Sequence, residues 1–138
     1  MYFISKRITS IRNAKNAKLK HVSWIINQKG SYTSIISILT ILRNSGYIRA
    51  FTYKSMNVGN KTYKEFIIYL KYDEAGSSVI RSISNISKPS RKIYVATQSL
   101  WQPQTTSGLY VLSTPLGIIT DSEARRHNVG GCLLFSLF

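Results

Sequence analysis

Ile4, Ile8 and Ile11 recur at i, i+4 and i+7 with Lys6 and Asn13 off that stripe, a spacing that predicts a short amphipathic helix at the start of the chain. A polar run with Lys15, Lys18 and Lys20 predicts a basic loop, and Val22 to Ile26 then reads as a brief strand centred on Trp24. Gly30 and Ser31 supply a break and an N-cap. Ile35, Leu39 and Leu42 mark a second helix that stops at Gly46, a residue suited to the left-handed C-terminal position. Tyr47 to Lys54 and Tyr63 to Tyr72 are strand-like. The second sets Phe66, Ile68, Leu70 and Tyr72 against Ile67, Tyr69 and Lys71, and with Asn57 to Lys61 as the turn the pair predicts a β-hairpin.

Asp73-Glu74-Ala75-Gly76-Ser77-Ser78 interrupts the pattern with turn formers and sets a boundary near residue 74. Beyond it, Val79 to Ile86, Lys92 to Ala96, Tyr110 to Ser113 and Cys132 to Phe138 are short and β-rich, with one helical turn near Ser122 to His127. The expected fold class is α+β. An N-terminal α/β lobe over 1–74, two helices on a small sheet, precedes a β-rich C-terminal lobe over 75–138 that carries the binding surface.

Charge changes the picture more than composition does. The 138 residues carry 19 Lys and Arg against five carboxylates, a net charge of +14, so intramolecular pairing cannot neutralise the basic residues. The missing counter-charge must come from a partner, with nucleic acid the first candidate ahead of an anionic membrane surface or an acidic protein. Hydrophobic residues make up 43% of the chain, enough for a packed core. Cys132, the single cysteine, cannot form an internal disulfide and reads as a small buried hydrophobe in a reducing compartment. Ile35 to Leu42, broken by Ser37 and Thr40, falls far short of the ~20 apolar residues a spanning helix needs, so no membrane partner is expected. Residues 1–14 imitate an Arg-rich targeting segment, yet removing them would delete a periodic element of the domain. Enrichment in Ile, Lys, Tyr and Asn, all with AT-rich codons, suggests an AT-rich genome such as an organelle's.

Catalysis and metal binding find little support. His21, His127 and Cys132 share no ligand spacing, and neither a metal nor a cofactor is expected. Asp121 and Glu123 are better read as acids complementing the positive end of a helical turn, and Ser113 lies in no nucleophile elbow. The chain is therefore not read as an enzyme. Basic residues cluster at Lys6, Arg7, Arg12, Lys15, Lys18 and Lys20; at Lys88, Arg91 and Lys92; and at Arg125 and Arg126. The first two clusters share elements with Asn13, Asn16, Ser87 and Ser90, side chains able to bond sugar and phosphate oxygens. Tyr94 is either a stacking surface for an unpaired base or a half-buried strand residue. Without a helix-turn-helix, zinc finger or basic zipper, RNA is favoured over duplex DNA.

The segment Ser113-Thr114-Pro115-Leu116-Gly117-Ile118-Ile119-Thr120-Asp121, with Glu123-Ala124-Arg125 and Gly130-Gly131, resembles the signature of the ribosomal protein S-eight family. Ile8 to Ala14, Gly46-Tyr47-Ile48 and Ile86 to Tyr94 resemble the family's N-terminal helix, helix exit and central basic turn in order. The resemblance implies a structural protein of the small ribosomal subunit that binds the central domain of small-subunit rRNA during assembly, beside neighbouring ribosomal proteins and not as a homo-oligomer. Translational repression through its own messenger is the alternative role. By position, Ser113, Thr114 and Gly117 would enter the minor groove of an irregular RNA helix beside Lys92 and Tyr94, while Lys88 and Arg91 are expected RNA contacts as members of their basic cluster. The helix around Arg12 and Asn13 would meet a second RNA segment, and Lys15 of the adjoining basic cluster is an expected RNA contact. The chain departs from the family at Pro115 and Leu116, where Ser and a basic residue are usual; at Cys132, where Glu is usual; and at Ser90, where Gly is usual. The expected consequence is weaker RNA affinity at the 113–117 loop. These departures and the codon bias suggest an organelle-encoded mitochondrial member, with a plastid or an AT-rich bacterium as alternatives. Trp101 to Ser107 is expected to be an exposed loop, either an ordinary connection or a variable segment open to a protein neighbour.

Overall fold

The computed structural model describes residues 2–27, 29–88, 90–100 and 108–138, with only the backbone at 2, 29 and 100, so the expected loop over 101–107 lies outside the described residues. The architecture is mixed α+β, as the pattern predicts. Backbone contacts divide it into two compact units, Ser10–Ile80, and Met1–Thr9 with Arg81–Phe138. Helix α1, Tyr2–Asn16, runs from the second of these into the first.

In the Ser10–Ile80 unit, β1 (His21–Ile26), β2 (Ile48–Val58) and β3 (Lys61–Leu70) form an antiparallel sheet in the order β1-β3-β2. The period-two pattern sets its faces: Val22, Trp24 and Ile26 are buried and lie opposite Ile68, Phe66 and Lys64. A loop of Gly59 and Asn60 closes the β2–β3 hairpin, with Gly59 at φ +61° as a tight primed turn demands. Helix α2, Tyr32–Asn44, buries Ile35, Ile38, Leu39 and Leu42. Its Tyr32 hydroxyl donates to Ile26 O at 3.2 Å, and the Tyr32 ring lies 6.5 Å from that of Phe66. Ser31 holds the expected cap position but makes no capping bond, because a 3-10 turn over Lys29–Ser31 leaves its backbone helical, at φ −86° and ψ −15°.

On the outer face of this sheet, Glu65 accepts from Ser23 Oγ at 2.8 Å and pairs with Lys54 Nζ at 3.3 Å. The Ser23 hydrogen bond first, then Lys54, holds the Glu65 carboxyl below its ordinary value of 4.5.

In the other unit, β8 (Gly131–Leu137) is the central strand. One edge pairs with β6 (Leu109–Thr114), which continues to β7 (Gly117–Thr120). The opposite edge is shared by two short strands, β4 (Ile83–Asn85) against Phe135–Leu137 and β5 (Tyr94–Val95) against Gly131 and Cys132. The strand expected over Val79 to Ile86 is therefore shorter. Arg81 and Ser82 both donate to Phe138 O, and Val79 donates to Lys71 O, so no ladder forms before Ile83. Asn85 Nδ2 donates to Ser5 O and Thr9 Oγ1 on α1, at 3.3 and 3.2 Å. Besides the 3-10 turn before α2, β7 and the single turn α3 (Thr97–Leu100) escape the sequence pattern, both too short to display a period.

Helix α4, Asp121–Arg126, starts from Thr120, whose hydroxyl accepts from Glu123 N at 3.3 Å, with Asp121 and Glu123 in its first turn. Helices α1, α2 and α4 all end in one device. The residue after the cap is left-handed, and the next N–H returns to the third-last carbonyl: Leu19 to Ala14, Tyr47 to Leu42, and Val129 to Ala124. Gly46 and Asn128 suit that conformation, but at α1 the residue is Lys18, at φ +56°.

The Gly130-Gly131 pair is required by close packing. A Cβ at Gly131 would strike Ser113 O and stand 2.9 Å from Thr114 Cγ2, and one at Gly130 would stand 2.5 Å from Val95 O.

Three expectations follow for chemical or thermal denaturation of the whole chain. Lys18→Gly relieves left-handed strain, partly offset by the greater freedom of glycine when unfolded, and stabilises by about 0.5 kcal/mol. Gly131→Ala forces β6 from β8 and destabilises by about 2–3 kcal/mol, whereas Gly30→Ala, with open space around its new Cβ, stays within about 0.5 kcal/mol of the parent. Because folding lowers the Glu65 pKa, its contribution is present above 4.5 and lost as pH falls through the depressed folded value. Glu65→Gln therefore lowers the melting midpoint at about pH 7, and the gap closes as the pH falls below the depressed Glu65 value.

Candidate nucleic-acid interface

Ser113 and Thr114 end β6, and Pro115 and Leu116 form the turn to Gly117. Pro at the second position and Gly at the fourth, here at φ +112°, are the preferences of a type I turn. Thr114 Oγ1 accepts from Leu116 N at 3.2 Å and donates to Gly117 O at 2.9 Å, so its hydroxyl holds the turn closed. Pro115 thus fits the turn, although it brings no N–H. The tip is apolar and exposed, with Leu116 59% accessible, while the Ser113 side chain stands in solvent.

Across β8 from this hairpin lies the basic turn over 87–92. It is an excursion from the β8 edge between Ile86, whose N–H donates to Leu134 O, and Ile93, whose C=O accepts from Leu133 N. Lys88 and Arg91 exchange backbone hydrogen bonds at 2.9 and 3.0 Å, and the side chains of Lys88, Arg91 and Lys92 are exposed.

Ser87 departs from its expected role as an RNA contact. It is 3% exposed, and its hydroxyl donates to Leu133 O, accepts from Ile93 N at 3.1 Å and lies 3.4 Å from Cys132 Sγ. A hydroxyl so committed cannot meet a phosphate; it fastens the base of the basic turn to β8. Carrying the alternation of Ile83 and Asn85 two residues further would have pointed it inward. Cys132 itself is buried, as expected.

Tyr94 and Ser113 are brought together by register, since both pair with Cys132 from opposite edges of β8. Two strand spacings separate them, about 10 Å between Cα atoms. Tyr94 is 70% exposed, which removes the half-buried alternative. Gly117 and Thr114 join this group through the turn, and Lys88, Arg91 and Lys92 through the excursion. Arg12, Asn13 and Lys15 belong to the Ser10–Ile80 unit, on the last turns of α1, where Arg12 and Asn13 are exposed and Lys15 is half-buried. Arg125 is engaged within its own helix, 2.9 Å from Asp121 Oδ2 and 3.4 Å from Ser122 Oγ.

Among the described residues, no three His, Cys, Asp or Glu side chains gather as a metal site, and no helix is long and apolar enough to cross a membrane.

The family model described as Ribosomal protein S8 matches residues 3–138. The "Small ribosomal subunit protein uS8" of Bartonella bacilliformis is 44% identical over 131 residues, covering 95% of this chain and 92% of the relative. Its namesake in Brucella abortus is 40% identical over the same shares, and that of Agrobacterium fabrum is 44% identical over 101 residues, 73% of this chain and 74% of the relative. With a match spanning nearly the whole sequence and relatives at this identity, the chain belongs to the ribosomal protein S8 family.

Proposed function

We propose that the chain is a structural constituent of the small ribosomal subunit that binds the central domain of its rRNA and supports assembly of that domain for translation. The observation that carries this reading is the row Tyr94–Cys132–Ser113, which sets an exposed ring and an exposed hydroxyl about 10 Å apart on either side of one strand. Beside them stand the basic turn and a closed hairpin tip. Irregular RNA is recognised by such a set: hydroxyls and backbone groups meet sugars and phosphates across a shallow minor groove, a ring stacks on an unpaired base, and lysines and arginines supply salt-sensitive attraction. In this reading Ser113, Gly117, Lys88, Arg91, Lys92 and Tyr94 contact RNA, and Thr114 shapes the turn that presents them. Arg12, Asn13 and Lys15 serve a second RNA segment. Neighbouring ribosomal proteins complete the surroundings, and the bias toward residues with AT-rich codons supports a mitochondrial ribosome as the setting.

The test is a salt titration of the full chain against a fragment of the rRNA central domain and against a regular duplex RNA of equal length. The fragment binds more tightly, and Ser113→Ala weakens it about tenfold, the worth of one hydrogen bond to a charged or polar partner. Lys88→Ala and Arg91→Ala each reduce the salt slope by about one. Thr114→Ala weakens binding more than Thr114→Ser, because only the latter keeps the turn closed. Equal binding of both RNAs, indifferent to Ser113→Ala, overturns the proposal.

A further inference from the structure

A second basic surface lies in the Ser10–Ile80 unit, on residues that no local charge cluster in the sequence unites. An open cleft of about 640 Å³ is lined by Lys20, His21, Arg49, Tyr69, Lys71 and Tyr72, among others. That volume is in the range of small-molecule sites. Its walls are built. Leu70 N donates to Lys20 O at 2.9 Å, and the Tyr72 hydroxyl donates to Leu19 O, so the end of β3 and the segment entering β1 are tied across the cleft. His21 pairs with Tyr69 in the β1–β3 register, their ring centroids 6.3 Å apart, and Tyr69 is 39% exposed.

Arg49 arrives there by an irregularity. Ile48 pairs with Leu70 and Ala50 with Tyr69, so Arg49 is the extra residue of a β-bulge, a device that re-aims a side chain. No carboxylate lines the cleft, and among the described residues none lies within ion-pair distance of Lys20, Arg49 or Lys71.

We propose that this cleft is a further RNA site, apart from those of Ser113 and of Arg12, that takes an unpaired nucleotide, its base stacked on Tyr69 and its flanking phosphates held by Lys20, Arg49 and Lys71. Three cations around exposed rings match a single strand, because stacking needs a splayed base and the cations need its backbone. A duplex offers no free base face. An acidic peptide would satisfy the cations but leave the rings without a role. The choice of RNA as partner draws on the proposed rRNA-binding role; the cleft and its charges do not.

The experiment uses the full chain with a fluorescent oligoadenylate hexamer, the same hexamer annealed to its complement, and a hexaglutamate competitor. The single strand binds more tightly than the duplex and resists the peptide. Tyr69→Ala weakens single-strand binding about tenfold, and Tyr69→Phe retains it. Arg49→Ala and Lys71→Ala each lower the salt slope by about one. In Ser113→Ala the hexamer still shifts the Tyr69 ring resonances, so loss of the rRNA fragment site and loss of this site read out separately. Should Tyr69→Ala fail to fold, the wild-type protein still decides: the Tyr69 ring resonances shift upfield on titration with the hexamer. Unshifted resonances, hexamer binding indifferent to Tyr69→Ala in a folded variant, or displacement by hexaglutamate at equal concentration each overturn the proposal.

Discussion

Strand β8 lies between its neighbours because its entry brings no side chains. At Gly131 a single methyl group would strike the carbonyl of Ser113, and at Gly130 one would press on Val95. That clearance lets β5 and β6 close on either edge within hydrogen-bonding distance. It thereby fixes the pairing of Tyr94 and of Ser113 with Cys132, and with it the geometry of the surface. The hairpin tip adds its own closure through Thr114, and Ser87 adds that of the basic turn, but both refine a frame that the glycines admit. Family signatures of this kind often read as contact residues. Here the Gly130-Gly131 part of the signature is clearance.

Charge supplies what packing cannot. Of the five carboxylates, Glu65 is spent on Ser23 and Lys54 and Asp121 on Arg125, both within local structure. Asp73 accepts from Ser77 N at 2.7 Å and shapes a turn. These three acids thus serve the fold, and 19 Lys and Arg against five carboxylates leave most of the positive charge without an internal counter-charge. Lys64 shows a different economy. Its ammonium sits 4.6 Å from the Tyr32 ring and 5.2 Å from that of Tyr53, so an interior-facing strand position carries a cation balanced by aromatic faces.

Much of this was legible in the chain. The Ile4, Ile8 and Ile11 stripe, the Val22–Trp24–Ile26 alternation and the Gly46 stop each became the expected element with the expected buried face, because one period encodes both element type and orientation. The strand expected from Val79 shrank to Ile83–Asn85, because periodicity cannot show where the first residues spend their hydrogen bonds. Ser31 misled for a related reason: residue type favours a cap, but the 3-10 turn before it decides whether the hydroxyl can reach one.

The sequence by itself determined the α+β class, the core stripes, the cationic excess and, through the segment from Ser113 to Gly131, the family. Only the tertiary structure decided that the Ser87 hydroxyl fastens the basic turn to β8, that Tyr94 and Ser113 share a row, and that Arg49 leaves the β2 ladder to join Lys20 and Lys71. Periodicity fixes the face of one element, a local property of the chain. Adjacency and register are set by ladders between segments tens of residues apart, whose hydrogen bonds have no signature in either segment alone.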